Sequence, residues 1–337
     1  MNSKDNKFSR RDFMAKSALA ATGLALASTS SFGFPAIIKN YGKPNSKFGG
    51  IQLGTITYSF RSMPTDAESV LKYCIDANIS AIEMMGTTVE AFAGAPNVST
   101  APMQPFTPGP RPELTEEQKA ERAKRAKEAA DWRASVSMDK FEQLRKMYKD
   151  AGVTIYAYKP NAFGVNNTDA EVDYGMRAAK ALGATHVTLE IPQEAAQTKR
   201  LSDIAAKHKI LVAYHGHEQQ TPTIWDACLA ESKYNALNCD LGHYVAAGFN
   251  PVELIEAKHD RIASAHLKDR QNPAHGKANL VWGTGDTPIA QILQTMKKNK
   301  YKFPGTIELE YEIPAGSDAV KEVAKCVEYC RKALETV

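Results

Sequence analysis

Nowhere does the 337-residue sequence hold a C-x-x-C pair, and its five cysteines are an odd set spread over Cys74, Cys228, Cys239, Cys326 and Cys330. A disulfide scaffold is therefore not expected. A chain of this length buries a real core without staples, and the cysteines read as small buried hydrophobes. Also missing is a glycine-rich phosphate cradle. The first apolar run continues as TYSFRSMP, with none of the glycines that a dinucleotide-binding sheet needs at that point. No apolar run is long enough to span a bilayer as a helix. Positive charge is scarce once the N-terminus is set aside. The formal net charge is +4, and residues 1–27, with five Lys/Arg against two Asp/Glu, supply three of those charges. The remainder is close to neutral, which argues against a nucleic-acid partner and against a stable membrane anchor.

The N-terminus itself is distinctive. SRRDFMAKSALAATGLALAS places Arg10 and Arg11 together, Phe13 just after them, Lys16 at the end of a polar stretch, and then an Ala-rich run to Ala27. This is the pattern of a twin-arginine export signal, with Ala25-Leu26-Ala27 as a small-x-small cleavage site. The expectation is a periplasmic protein handed to the twin-arginine export machinery, which carries folded proteins, often with a cofactor inside. A linker at 28–48 would follow, and then one domain over 49–337.

Within that domain, eight short β-rich runs alternate with helical patterns: 51–60, 80–85, 153–158, 185–190, 210–215, 235–240, 262–267 and 305–310. Between them lie stretches such as SMDKFEQLRKMYKDAG, with apolar residues at three-to-four spacing and a closing glycine. Eight strand–helix units in about 290 residues predict a (β/α)8 TIM barrel, an α/β fold. One segment breaks the rhythm. Residues 93–133 are Pro-rich and then densely charged, an insertion that reads as a solvated surface element, a lid or an oligomer contact.

Barrel enzymes gather their working groups at the C-terminal ends of the strands. Here strand 4 ends in Glu190, strand 5 in His215 and His217, strand 6 in Asp240 and His243, and strand 7 in His266, Lys268 and Asp269. Strand 8 carries Glu308 and Glu310. Lys159 after strand 3 and Glu83 in strand 2 are further candidates, and Asp269 is expected to orient a ligand or pair with Arg270. Carboxylates brought together repel one another, and a divalent cation removes that cost. Glu, Asp and His form a hard, oxygen-rich ligand set that suits Mn2+, Mg2+ or Co2+, with Zn2+ admissible.

Taken in order, Glu190, the D-x-x-H of Asp240 and His243, AHLKD around His266, IELEYE at strand 8 and YHGHE at strand 5 resemble the xylose-isomerase-like barrel family of sugar isomerases and epimerases. The resemblance covers about residues 50–335. It implies one divalent metal held by Glu190, Asp240, His266 and Glu308, with Glu310 as the alternative last ligand on the same strand face. It also implies a small sugar or glycoside substrate. Glu190 and Glu308 would act as acid and base, moving a proton beside a keto-sugar carbonyl, and His215, His217, His243 and Lys268 would contact the substrate. For the histidines a structural hydrogen bond is the other reading. Three outcomes stay open: isomerisation or epimerisation, β-elimination from a 3-keto-glycoside, and a non-catalytic exported sugar-binding barrel.

Overall fold

The computed structural model describes residues 42–104 and 113–336. The proposed export signal lies outside them. Eight parallel strands form the frame: β1 (Ile51–Ile56), β2 (Ala81–Met85), β3 (Thr154–Lys159), β4 (His186–Glu190), β5 (Leu211–His215), β6 (Asn235–Asp240), β7 (Ile262–Leu267) and β8 (Gly305–Ile307). Each pairs with the next, β8 pairs with β1, and the sheet closes into a barrel. All eight apolar runs thus become strands, several starting one residue later and two ending clearly earlier. Residues 57–60 turn into a short 3-10 helix, and strand 8 stops at Ile307 rather than 310.

The strands read as nearly continuous buried runs because both faces are covered, by helices outside and by side chains inside. The outer ring comprises α1 (Ala67–Asp76), α2 (Gly86–Ala93), α3 (Glu116–Ser135), α4 (Asp139–Asp150), α5 (Asp169–Leu182), α6 (Ala195–His208), α7 (Asp226–Glu231), α8 (Leu241–Ala246), α9 (Pro251–Lys258), α10 (Ile289–Lys298) and α11 (Ala319–Glu335). Local sequence sets their limits. Thr168 and Glu171 form a capping box that starts α5, and Gly183 ends it in the left-handed conformation. Inside the barrel, Tyr156 crosses to Thr306, with its hydroxyl 2.6 Å from Thr306 Oγ1. The ring lies against Gly54, where a Cβ would come within 2.6 Å of it, so β1 needs glycine at that point. All five cysteines are buried and unpaired. No helix among the described residues is long and apolar enough to cross a membrane.

The charged half of the insertion is α3. It is exposed along its length except at its end, where Arg133 is buried. Arg133 donates from Nε and Nη2 to both oxygens of Glu90 (2.9 and 3.2 Å) and from Nη1 to Glu171 (3.0 Å). This fork fastens α3 to α2 and α5. Removing one member of a buried ion pair strands the others without water. Arg133→Met should therefore lower stability by about 3 kcal/mol in urea unfolding. A loss under about 1 kcal/mol would show that the fork adds little.

Candidate functional site

The strand ends converge as the barrel geometry requires. His215, Asp240, His266 and Glu308 are all buried, and one ligand atom of each lies within 4.8 Å of the others. Strand register explains the meeting. A shift in the β6–β7 pairing between Leu237 and Asn238 sets Asp240 directly beside His266, and β8 brings Glu308 past the end of β7, where its backbone N–H donates to Leu267 O. Three of the four expected ligands are therefore in one cluster. Glu190 is elsewhere. It is opposite His215 in the β4–β5 ladder and belongs to a second, more exposed group with His215 and His217. Its Oε1 accepts from Lys159 Nζ at 2.9 Å, and its Oε2 lies 3.6 Å from His217 Nε2. In the buried cluster the fourth place belongs to His215.

Lys268 occupies the middle. Its ammonium lies 2.8 Å from Asp240 Oδ2, 2.7 Å from Glu308 Oε2 and 2.7 Å from Glu310 Oε2. Burial works against its charge, but these three carboxylates outweigh that and raise its pKa. Lys268 is threaded past Gly242 at the start of α8, where a Cβ would stand 2.8 Å from the Lys268 carbonyl oxygen as well as against its side chain. The glycine of the D-L-G-H motif thus keeps room for the lysine.

His266 stands between two carboxylates. Its Nε2 is 2.8 Å from Glu83 Oε2 and its Nδ1 is 3.1 Å from Glu308 Oε2. Burial lowers the imidazole pKa, but the Glu308 and Glu83 charges and hydrogen bonds carry it up to about 10. Glu83 is the part of the site that strand-end reasoning underrated. It sits mid-strand in β2, fully buried, and also accepts from Thr188 (2.6 Å) and Asn238 (3.3 Å). Burial raises its pKa, but His266 pulls it down to about 2. Glu308 is likewise held well below the usual range. Burial opposes this, and Lys268 and His266 more than compensate. The His215 pKa is depressed by burial and by neighbouring His266. Its Nδ1 pairs with Asn238 Oδ1 at 2.8 Å, which leaves Nε2 facing Asp240.

The remaining expected residues surround this centre. His243 contacts Arg270 through Nδ1, and its Nε2 lies 3.9 Å from Glu310. Burial, Lys268 and Arg270 push its pKa down to about 2. His217 is exposed, with its ring 4.6 Å from that of His243. Asp269 does not pair with Arg270 as expected. Its carboxylate accepts from the backbone N–H groups of Gly283, Thr284, Gly285 and Thr287 and so shapes the loop after β7. Arg270 turns instead to Glu218 at 2.8 Å and to His243.

The donor set fits a divalent cation. Asp240 Oδ2 is buried, and the group that faces it is the Lys268 ammonium at 2.8 Å. Carboxylates this far from water need positive charge beside them, which a cation supplies as well as the lysine does. His266 has a carboxylate behind Nε2, the arrangement that orients a metal-binding imidazole and fixes which nitrogen is free. The charges also match. Protonated His266 and Lys268 bring two positive charges to the carboxylates, the same number as a divalent ion. A cation held by Nδ1 must displace the proton there. At pH 7, below the His266 pKa of about 10, binding should release about one proton per ion. Calorimetry in buffers of different ionisation enthalpy would measure it, and uptake without proton release would mean that His266 is not a ligand.

The comparisons with known proteins agree with this architecture. A family model described as xylose isomerase-like TIM barrel matches residues 113–332. No curated protein matches the sequence significantly. Among solved structures, a sugar phosphate isomerase/epimerase from Parabacteroides distasonis superposes with a TM-score of 0.55 at 17% identity, covering 85% of this chain and 95% of its own. The 3-keto-D-glucoside 4-epimerase from E. coli gives 0.56 at 12% identity, over 84% of this chain and 99% of its own. An L-ribulose 3-epimerase gives 0.55 at 13%, over 85% and 95%. At these identities the likeness is one of fold.

Proposed function

The chain belongs to the xylose isomerase-like TIM-barrel family, and from that premise we propose that it is a divalent-metal-dependent enzyme that moves a proton at the carbon next to a keto-sugar carbonyl. The observation that carries this is the buried meeting of His215, Asp240, His266 and Glu308, with one ligand atom of each within 4.8 Å of the others. These four residues would hold the ion. When bound, the ion supplies Lewis acidity to the sugar carbonyl, which makes the adjacent C–H more acidic.

The protein's own groups do the rest. Glu190 is the carboxylate best placed to take the proton. It is on the rim and, among the described residues, is paired with Lys159 and lies near His217. Burial raises its pKa, but His215 and Lys159 outweigh that and leave it below the usual value. Glu308 is bound by His266 and Lys268, so it is the weaker base and the better fixed negative charge. Glu190 would return the proton to the neighbouring carbon. For the opposite face, Glu308, drawn from its present partners by a bound sugar, would take a proton from solvent and deliver it while Glu190 gives its own up to solvent. Lys268 carries the cationic N–H that steadies the enediolate oxygen. His243, whose Nδ1 is occupied by Arg270, is left to offer its Nε2–H to a hydroxyl. Export through the twin-arginine route would place this chemistry in the periplasm, where glycosides are encountered.

Product analysis separates the outcomes. Metal-loaded protein incubated with a panel of keto sugars and 3-keto-glycosides should yield a stereoisomer or positional isomer of at least one of them. Release of an aglycone with an unsaturated sugar would place the enzyme among the lyases. Tight binding with every substrate unchanged would make it a sugar-binding barrel and end the enzymatic reading.

A further inference from the structure

A cavity of about 790 Å3 opens beside the catalytic cluster, on the side of β1 and β8, with Glu310 in its wall. The cavity and the cluster are linked through one side chain, since Lys268 lies 2.7 Å from both Glu310 and Glu308. Its volume falls in the upper part of the range that encloses drug-sized ligands, more than a single hexose requires. Its lining is mixed. Tyr58 and Ile313 are half-buried and offer apolar surface. Arg61 stacks its guanidinium 4.5 Å from the Tyr58 ring centroid, and its Nη1 is anchored on Leu309 O. Among the described residues, its Nε and Nη2 have no protein partner. Glu310 and Glu312 contribute acceptors.

We propose that this cavity is a second glycosyl subsite, and that the substrate is a neutral keto-glycoside with its keto ring at the metal cluster and its other sugar against Tyr58, Arg61 and Ile313. The inference rests on the proton-transfer reading above and adds the substrate class. A sugar ring presents C–H faces to Tyr58 and Ile313, and hydroxyls that both accept from Arg61 and donate to Glu310 and Glu312. A phosphate fits poorly. Two carboxylates line the cavity against one arginine, so a phosphate dianion would meet net negative charge.

Calorimetry on the metal-loaded protein tests this without turnover. The probes are a 3-hydroxy disaccharide, the matching monosaccharide and that monosaccharide phosphate. Wild type should prefer the disaccharide over either by about tenfold or more. That preference should collapse in Arg61→Gln and in Ile313→Trp, which fills the space. Equal affinities, tightest binding of the phosphate, or a preference that survives both substitutions would overturn the subsite. Deuterium wash-in from D2O with the keto monosaccharide, run in parallel, reports on the proton-transfer reading alone. Its failure would remove the reaction but leave the calorimetric result for the cavity intact.

Discussion

Glu190→Gln should lower kcat by about 10²-fold or more while KM stays within a few-fold, the signature of a lost general base rather than lost binding. The glutamine keeps the shape and can still accept from Lys159, so the local structure should survive. It cannot take a proton. The substitution is cleaner than Glu308→Gln because Glu190 lies outside the buried four-residue group and its loss should leave metal content unchanged. Glu308→Gln removes a carboxylate from Lys268 and His266 together, and should lower both kcat and metal affinity. Steady-state kinetics with metal content measured on the same samples would separate the two. A Glu190→Gln enzyme with near-normal kcat would assign the base elsewhere.

The second large effect concerns Asp240. Its Oδ1 accepts from the His243 backbone N–H at 2.7 Å and caps α8, while Oδ2 faces the cluster. Asparagine can keep the cap through its oxygen, but that turns its NH2 group toward the ion. Asp240→Asn should therefore fold and weaken metal binding by well over 10²-fold. That exceeds the loss of about 10–100-fold expected for Glu83→Gln, which removes only the group behind His266. Competitive chelator titration, with circular dichroism as the folding control, would rank the two. Equal metal affinity in Asp240→Asn and wild type would remove Asp240 from the ligand set.

The barrel was legible because its strands are buried on both faces and so stand out as short β-rich runs between amphipathic helices. The site was legible in part for the same reason: a polar or charged residue closing such a run has to be satisfied by something. Asp240, His266, Lys268 and Glu308 all announce themselves this way. The partition between the two groups does not. Whether Glu190 or His215 joins Asp240 depends on strand register and on the shift at Leu237–Asn238, and no residue type encodes either. The Glu83–His266 contact joins residues 183 positions apart, across the barrel interior rather than around its rim. The Asp269–Arg270 expectation failed because neighbours along a chain point apart, and a loop N–H cradle offered Asp269 four donors at once.

With metal bound, this cluster should labilise a C–H bond beside a sugar carbonyl. The most direct test is NMR-detected exchange in D2O with metal-loaded wild type and the keto sugar or keto-glycoside that binds best. Deuterium should appear at the carbon next to the carbonyl at a rate at least equal to turnover. It should disappear on chelation and fall by about 10²-fold in Glu190→Gln. Turnover with that carbon fully protonated, or exchange that persists undiminished in both controls, would contradict the account.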